Sequence, residues 1–125
     1  MRYRLLGGSG LRVSELALGT MTFGTPDAFH KNSQIEFERN VERYAEAGGN
    51  FVDTANNYTD GSSERIVGEA THDDRDRWVI ATKYTLTVDR ADPNAGGNHR
   101  KSLVRSLEQS LRRLRTDYEI GRAHV

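Results

Sequence analysis

Cysteine is absent from the 125 residues. That excludes disulfides and thiolate metal sites, and it is compatible with a cytoplasmic location, which is the expectation here. Net charge is also absent: Lys and Arg balance Asp and Glu at zero. Neither nucleic acid nor an anionic membrane is therefore implied as a partner. No apolar run approaches the roughly 20 residues a membrane helix needs. The opening stretch MRYRLLGGSG lacks the apolar core of a signal peptide. The four histidines, His30, His72, His99 and His124, show no metal-ligand spacing. No low-complexity segment or linker divides the chain, whose length suits one small domain. Its hydrophobic content of 35% is low for a self-sufficient core.

What is present alternates. Two short extended runs, 2–6 and 11–13, flank Gly7-Gly8-Ser9-Gly10 and predict a hairpin. The glycines are not a dinucleotide loop, because no helix opens after them. The run Leu16-Ala17-Leu18, ending at Gly19-Thr20, predicts the first main strand. Ser33 and Glu36 stand at capping-box spacing ahead of a helix. Phe37, Val41, Tyr44, Ala45 and Gly48 recur along it at helical intervals, and Gly48-Gly49 ends it. Residues 50–54 predict a second strand, and SSERIVGEA a short helix capped by Ser62 or Ser63. RWVIATK predicts a third strand centred on Val79 and Ile80. After a Gly/Asn/Pro-rich loop at 92–98, a helix is expected over about 99–114, with Leu103, Leu107, Leu111 and Leu114 as its apolar stripe. Its Arg and Lys residues read as a solvated face. Strand and helix in alternation imply parallel strands with right-handed crossovers, an α/β class.

In such architectures the carboxyl ends of the strands form the functional face. Gly19-Thr20 follows the first strand, Asp53 ends the second and Lys83 the third, with Tyr58 in the loop above. Neighbouring strands lie about 4.8 Å apart, so Asp53 and Lys83 are expected to face each other. A phenol gives up its proton more readily beside an ammonium. With Asp53 holding Lys83, Tyr58 could serve as a general acid. Each residue also has a plainer reading. An Asp at a strand end often caps a loop, and a Lys there can simply reach solvent. Spacing alone leaves both readings open.

The stretches LALGTMTFG, GGNFVDTANNYTDGSSERIVGEA, VIATKY and RKSLVRSLEQSLRRLRTDY together resemble the aldo-keto reductase family, from about Tyr3 to Tyr118. The resemblance implies a (β/α)8 TIM barrel whose bottom is closed by a hairpin. It implies an oxidoreductase that moves a hydride between NADP(H) and a small carbonyl or alcohol substrate. By resemblance Asp53, Tyr58 and Lys83 match three of the four catalytic residues. Gly19, Thr20, Met21 and Asp53 would lie against the nicotinamide and its ribose. Some members of the family act instead as non-catalytic subunits that sense the cofactor, which is the alternative reading. Substrate identity and oligomeric state stay unread.

The sequence then departs from the family. A barrel of this kind takes about 250 residues, whereas three β/α units are counted here. The expectation is an N-terminal portion of such a domain over 1–118, truncated, with a non-native tail over 119–125. The stretch IGRAHV resembles a translated sequencing-library adapter. His124 falls near the family's fourth catalytic residue but one position early. A slip of one residue turns a side chain to the other face of a strand. Alone, the polypeptide is expected to be marginally folded, aggregation-prone and inactive, with two open sheet edges.

Overall fold

The computed structural model describes residues 1–24 and 30–120. A hairpin comes first: β1 (Tyr3–Leu5) pairs antiparallel with β2 (Arg12–Ser14). Three β/α units follow. They are β3 (Leu18–Gly19) with α1 (His30–Glu46), β4 (Phe51–Asp53) with α2 (Ser62–Thr71), and β5 (Val79–Ala81) with α3 (Arg100–Leu114). The sheet order is β3-β4-β5 and every pairing in it is parallel. Backbone pairing runs past the strands. Thr20 N–H donates to Asp53 O, Thr54 N–H to Ala81 O and Asn56 N–H to Lys83 O, at 3.1, 2.8 and 3.1 Å. After α3 the chain returns to the edge of β5, where Ile120 N–H donates to Ile80 O at 3.1 Å. Residues 121–125, His124 among them, lie outside the described residues.

Side-chain alternation divides the sheet. Val52 and Ile80, paired in register, are fully buried on the face toward the helices. There they join Phe37, Val41, Ile66, Val67, Trp78 and Leu114 in one core. Gly19, Asp53 and Ala81 form the next row and face the other side. The hairpin closes the amino-terminal end of the sheet. Ser14 N–H donates to Asn50 Oδ1 at 2.8 Å, and Asn50 Nδ2 donates to Arg12 O at 3.1 Å. Tyr44 fastens the same end, donating to Leu16 O at 2.6 Å.

Four expectations need correction. Helix α1 begins at His30, so Ser33 lies inside its first turn and not ahead of it as a cap. Helix α2 is preceded by Gly61 at φ 88°, and the hydroxyls of Ser62 and Ser63 bond to other segments. Leu16 is 67% exposed, so the first strand carries only Leu18 from its expected apolar run. In α3 the buried residues are Ser102, Ser106, Ser110 and Leu114, while Leu103 is exposed and Leu107 and Leu111 are half-buried. Leu114 packs at close range: at Gly68 of α2, a Cβ would stand 2.6 Å from its backbone. Ser102 is covered by the preceding loop, its Oγ 3.3 Å from Ala95 O.

Candidate active site

Three strand ends and one turn place the site. Beyond β4 and β5, alternation turns Asp53 and Lys83 to the same face. Lys83 is 9% exposed, and its ammonium has three donors. All three have acceptors: Asp53 Oδ2 at 2.8 Å, Thr54 O at 2.9 Å and the Tyr58 hydroxyl oxygen at 3.2 Å. Its nitrogen also lies 4.9 Å from the centre of the Tyr58 ring. The three residues picked out from the sequence therefore converge, and Lys83 is their hub.

Tyr58 opens a tight turn, Tyr58–Gly61. Thr59 (φ 45°) and Asp60 (φ 53°) inside it adopt left-handed backbone, which costs an L-residue with a Cβ roughly 1–2 kcal/mol each. Such strain persists where surrounding bonds over-determine it. Here Thr59 Oγ1 donates to Phe23 O at 2.9 Å, and Ser62 Oγ lies within reach of Thr59 O and Gly24 O at 2.7 and 2.9 Å. The turn is thus tied to the loop after β3, which carries Met21.

Because Tyr58 oxygen accepts from Lys83, its own O–H is free to point elsewhere. A cavity of about 450 Å³ lies beside it, with Met21, Asn57, Tyr58, Lys83, Thr85 and Leu86 among its walls. Met21 and Leu86 are 63% and 55% exposed and give this cavity an apolar rim. A larger cavity, about 600 Å³, lies between α2 and α3 and is rich in arginine. Its lining holds no lysine, whereas the smaller cavity is lined by both Tyr58 and Lys83.

The residues assigned to a cofactor divide. Gly19 shares a register row with Asp53, and nothing stands within 4 Å of where its Cβ would be. A flat ring has room there. Asp53, its side chain 30% exposed, keeps a second oxygen able to accept from a ribose hydroxyl. Thr20 does otherwise. It is fully buried, its hydroxyl 3.2 Å from Asp53 O and 2.9 Å from Ser63 Oγ. Its side chain faces α2, so it supports the site and does not line it.

Sequence reading missed the supports. Thr20, Thr54 and Thr82 stand one position beyond the row Gly19, Asp53 and Ala81, on the face toward α2. The first turn of α2 reaches all three. Ser63 Oγ donates to Thr20 O at 2.8 Å and lies 3.4 Å from Thr54 Oγ1. Glu64, fully buried, accepts from Thr82 Oγ1 and from Arg113 Nε, both at 2.6 Å. Asn56 was also passed over. Its Nδ2 donates to Tyr84 O and Leu86 O at 3.2 and 2.7 Å, tying the loop after β5 to the loop after β4. The available signal was a hydroxyl residue beside each strand-end position, with Ser-Ser-Glu following the Tyr.

Comparison with known proteins places the chain in a family. Residues 15–119 match the Aldo/keto reductase family. A norsolorinic acid reductase from Aspergillus flavus is 43% identical over 126 residues, covering 93% of this chain and 32% of that protein. An aryl-alcohol dehydrogenase from Pestalotiopsis microspora is 39% identical over 127 residues, covering 94% and 33%. The holo form of an aldo-keto reductase from Bacillus halodurans superposes with a TM-score of 0.84 at 32% identity, over 99% of this chain and 40% of that one. The chain thus spans about a third of the length of these curated relatives, and its hairpin and three β/α units correspond to part of a (β/α)8 barrel. With residues 15–119 matched, more than half of its length, the chain belongs to the aldo/keto reductase family.

Proposed function

We propose that this chain carries the proton-donating half of an NADP(H)-dependent carbonyl reductase, with Tyr58 as the general acid. One observation carries the reading: Lys83 holds Asp53 and the Tyr58 hydroxyl oxygen at 2.8 and 3.2 Å at the edge of an open cavity. When bound, NADP(H) supplies the hydride for a carbonyl carbon and takes one back from an alcohol. Tyr58 gives its proton to the carbonyl oxygen as that oxygen gains charge. Lys83 stabilises the phenolate that results, with an ammonium already in place and needing no reorganisation. Asp53 keeps Lys83 aimed, through their contact at 2.8 Å. Gly19 and Met21 would border the nicotinamide, with Asp53 oxygen on its ribose; Thr20 would act only through its neighbours.

The substrates would be small aldehydes, ketones or the matching alcohols. The apolar rim of Met21 and Leu86 suits an aryl or alkyl substituent, and the printed names of two relatives, a reductase and an aryl-alcohol dehydrogenase, support the class. The test is Tyr58→Phe in the full-length gene product, assayed with NADPH and an aromatic aldehyde. Removing a general acid costs about 10²–10⁴ in rate, with little change in cofactor affinity. Turnover within threefold of the unaltered protein would remove Tyr58 from the role.

A further inference from the structure

We propose that Glu64 is a positioning residue for Lys83, acting through Thr82; this rests on the reading of Lys83 and Tyr58 above. Glu64 is 0% exposed, and its carboxylate is divided between two donors. One oxygen takes Arg113 Nε from α3 and the other takes Thr82 Oγ1 at the end of β5, each at 2.6 Å. Burying a carboxylate is expensive, and an apolar replacement for a buried ion pair is often neutral or stabilising. Stability alone therefore gives no reason for Glu64 at this place. Its position does. Thr82 immediately precedes Lys83, and alternation sends the two side chains to opposite faces of the sheet. A bond that fixes Thr82 from behind fixes the height at which Lys83 emerges in front.

The tolerance at that height is small. Lys83 reaches the Tyr58 hydroxyl at 3.2 Å, already at the long end of a hydrogen bond. A displacement of about 1 Å would break it, and misplacement of that size can cost about 10²-fold in rate. Ser63 gives the neighbouring strands the same support, through Thr20 and Thr54. The first turn of α2 thus meets three strand ends, and Glu64 holds the one that carries the lysine. Arg113 joins α3 to this arrangement. Gly61 permits it, since a Cβ there would stand 3.1 Å from Arg113 Cδ.

The discriminating variant is Thr82→Val, which keeps the side chain's shape and deletes its hydroxyl. It is made in the full-length gene product beside Thr82→Ser, Glu64→Gln and Tyr58→Phe. Thr82→Val is expected to lower kcat about tenfold or more, with KM for cofactor and substrate unchanged within twofold. Thr82→Ser is expected to restore kcat to within about threefold. Because Glu64→Gln leaves Arg113 buried and unpaired, it can fail by unfolding, and the Thr82 pair carries the decision. Thr82→Val with unaltered kcat in its folded fraction overturns the proposal, as does a loss that Thr82→Ser does not rescue. If Tyr58→Phe is inactive while Thr82→Val is fully active, positioning fails alone and the acid reading stands. If Tyr58→Phe stays active, the acid reading falls and takes with it the role assigned to Lys83 and Glu64.

Discussion

Gly68→Ala sets two effects of opposite sign against each other. In the middle of a helix, alanine is favoured over glycine by roughly 1 kcal/mol, so propensity alone makes the variant more stable. The contact with α3 opposes this. The new Cβ would stand 2.6 Å from Leu114 C and O and 2.8 Å from its Cα. All three are backbone atoms, so no side chain can rotate away. Ordinary contact begins at 3.4 Å, so α2 and α3 must part by about 0.8 Å, the difference between 3.4 and 2.6 Å. Overpacking of this kind costs typically 1–3 kcal/mol. A gap of 0.5–1 Å also forfeits about a quarter to a half of each dispersion contact along the seam. The stretched seam includes the Arg113 bond to Glu64. The expected net result is a loss of about 0–2 kcal/mol. In a barrel-sized domain that lowers Tm by about 2–4 °C per kcal/mol. The assay is thermal unfolding followed by circular dichroism, with Gly8→Ala as the reference. Nothing lies within 4 Å of a Cβ at Gly8, so that change is expected to stay within about 0.5 kcal/mol. A Gly68→Ala protein more stable by the roughly 1 kcal/mol that helix propensity alone gives would refute the close approach to Leu114.

Two further outcomes follow from the structure. The Asp92 carboxyl is held below its ordinary 3.8, first by the Asn94 backbone N–H and then by the Arg105 guanidinium. The loop contact it makes with α3 is therefore present in full above 3.8 and lost as pH falls through the lower folded value. An NMR titration of the Asn94 amide should show a midpoint below 3.8, and a midpoint at or above it would contradict the contact. The 125-residue chain expressed alone is expected to aggregate and to reduce no aldehyde, since three strands cannot close a barrel and leave sheet edges open. A monodisperse sample with a sharp cooperative transition would count against that.

Much of this was legible in the residues, and the illegible part has a physical cause. Asp53 and Lys83 could be brought together from adjacent strand ends, because a parallel sheet puts such ends in a row, and Tyr58 followed as a residue of the loop above. The serine face of α3 could not. Apolar periodicity selects Leu103, Leu107 and Leu111, yet the buried residues are Ser102, Ser106, Ser110 and Leu114. Which face is covered is set by segments outside the helix, such as the loop whose Ala95 O accepts from Ser102 Oγ, and no pattern within α3 reports that. Thr20 misled for a related reason. It stands beside Gly19 at the right strand end, but the next residue along a strand faces the other way, and its hydroxyl belongs to Ser63. Ser62 and Ser63 looked like helix caps by type and place. Ser63 is occupied instead by Thr20, and Ser62 by Thr59 and Gly24, contacts that a capping pattern does not reveal.

The central claim is hydride transfer to a carbonyl with Tyr58 completing the alcohol. The most direct measurement follows the label. NADPH carrying deuterium on its transferable C4 position is given to the full-length gene product with an aromatic aldehyde, and the alcohol is weighed by mass spectrometry. The account predicts one deuterium on the carbinol carbon from the unaltered protein and about 10²-fold less labelled product from Tyr58→Phe in the same time. Cofactor that binds and is recovered with its deuterium intact, with no alcohol formed, would contradict it and would assign this site to cofactor sensing instead.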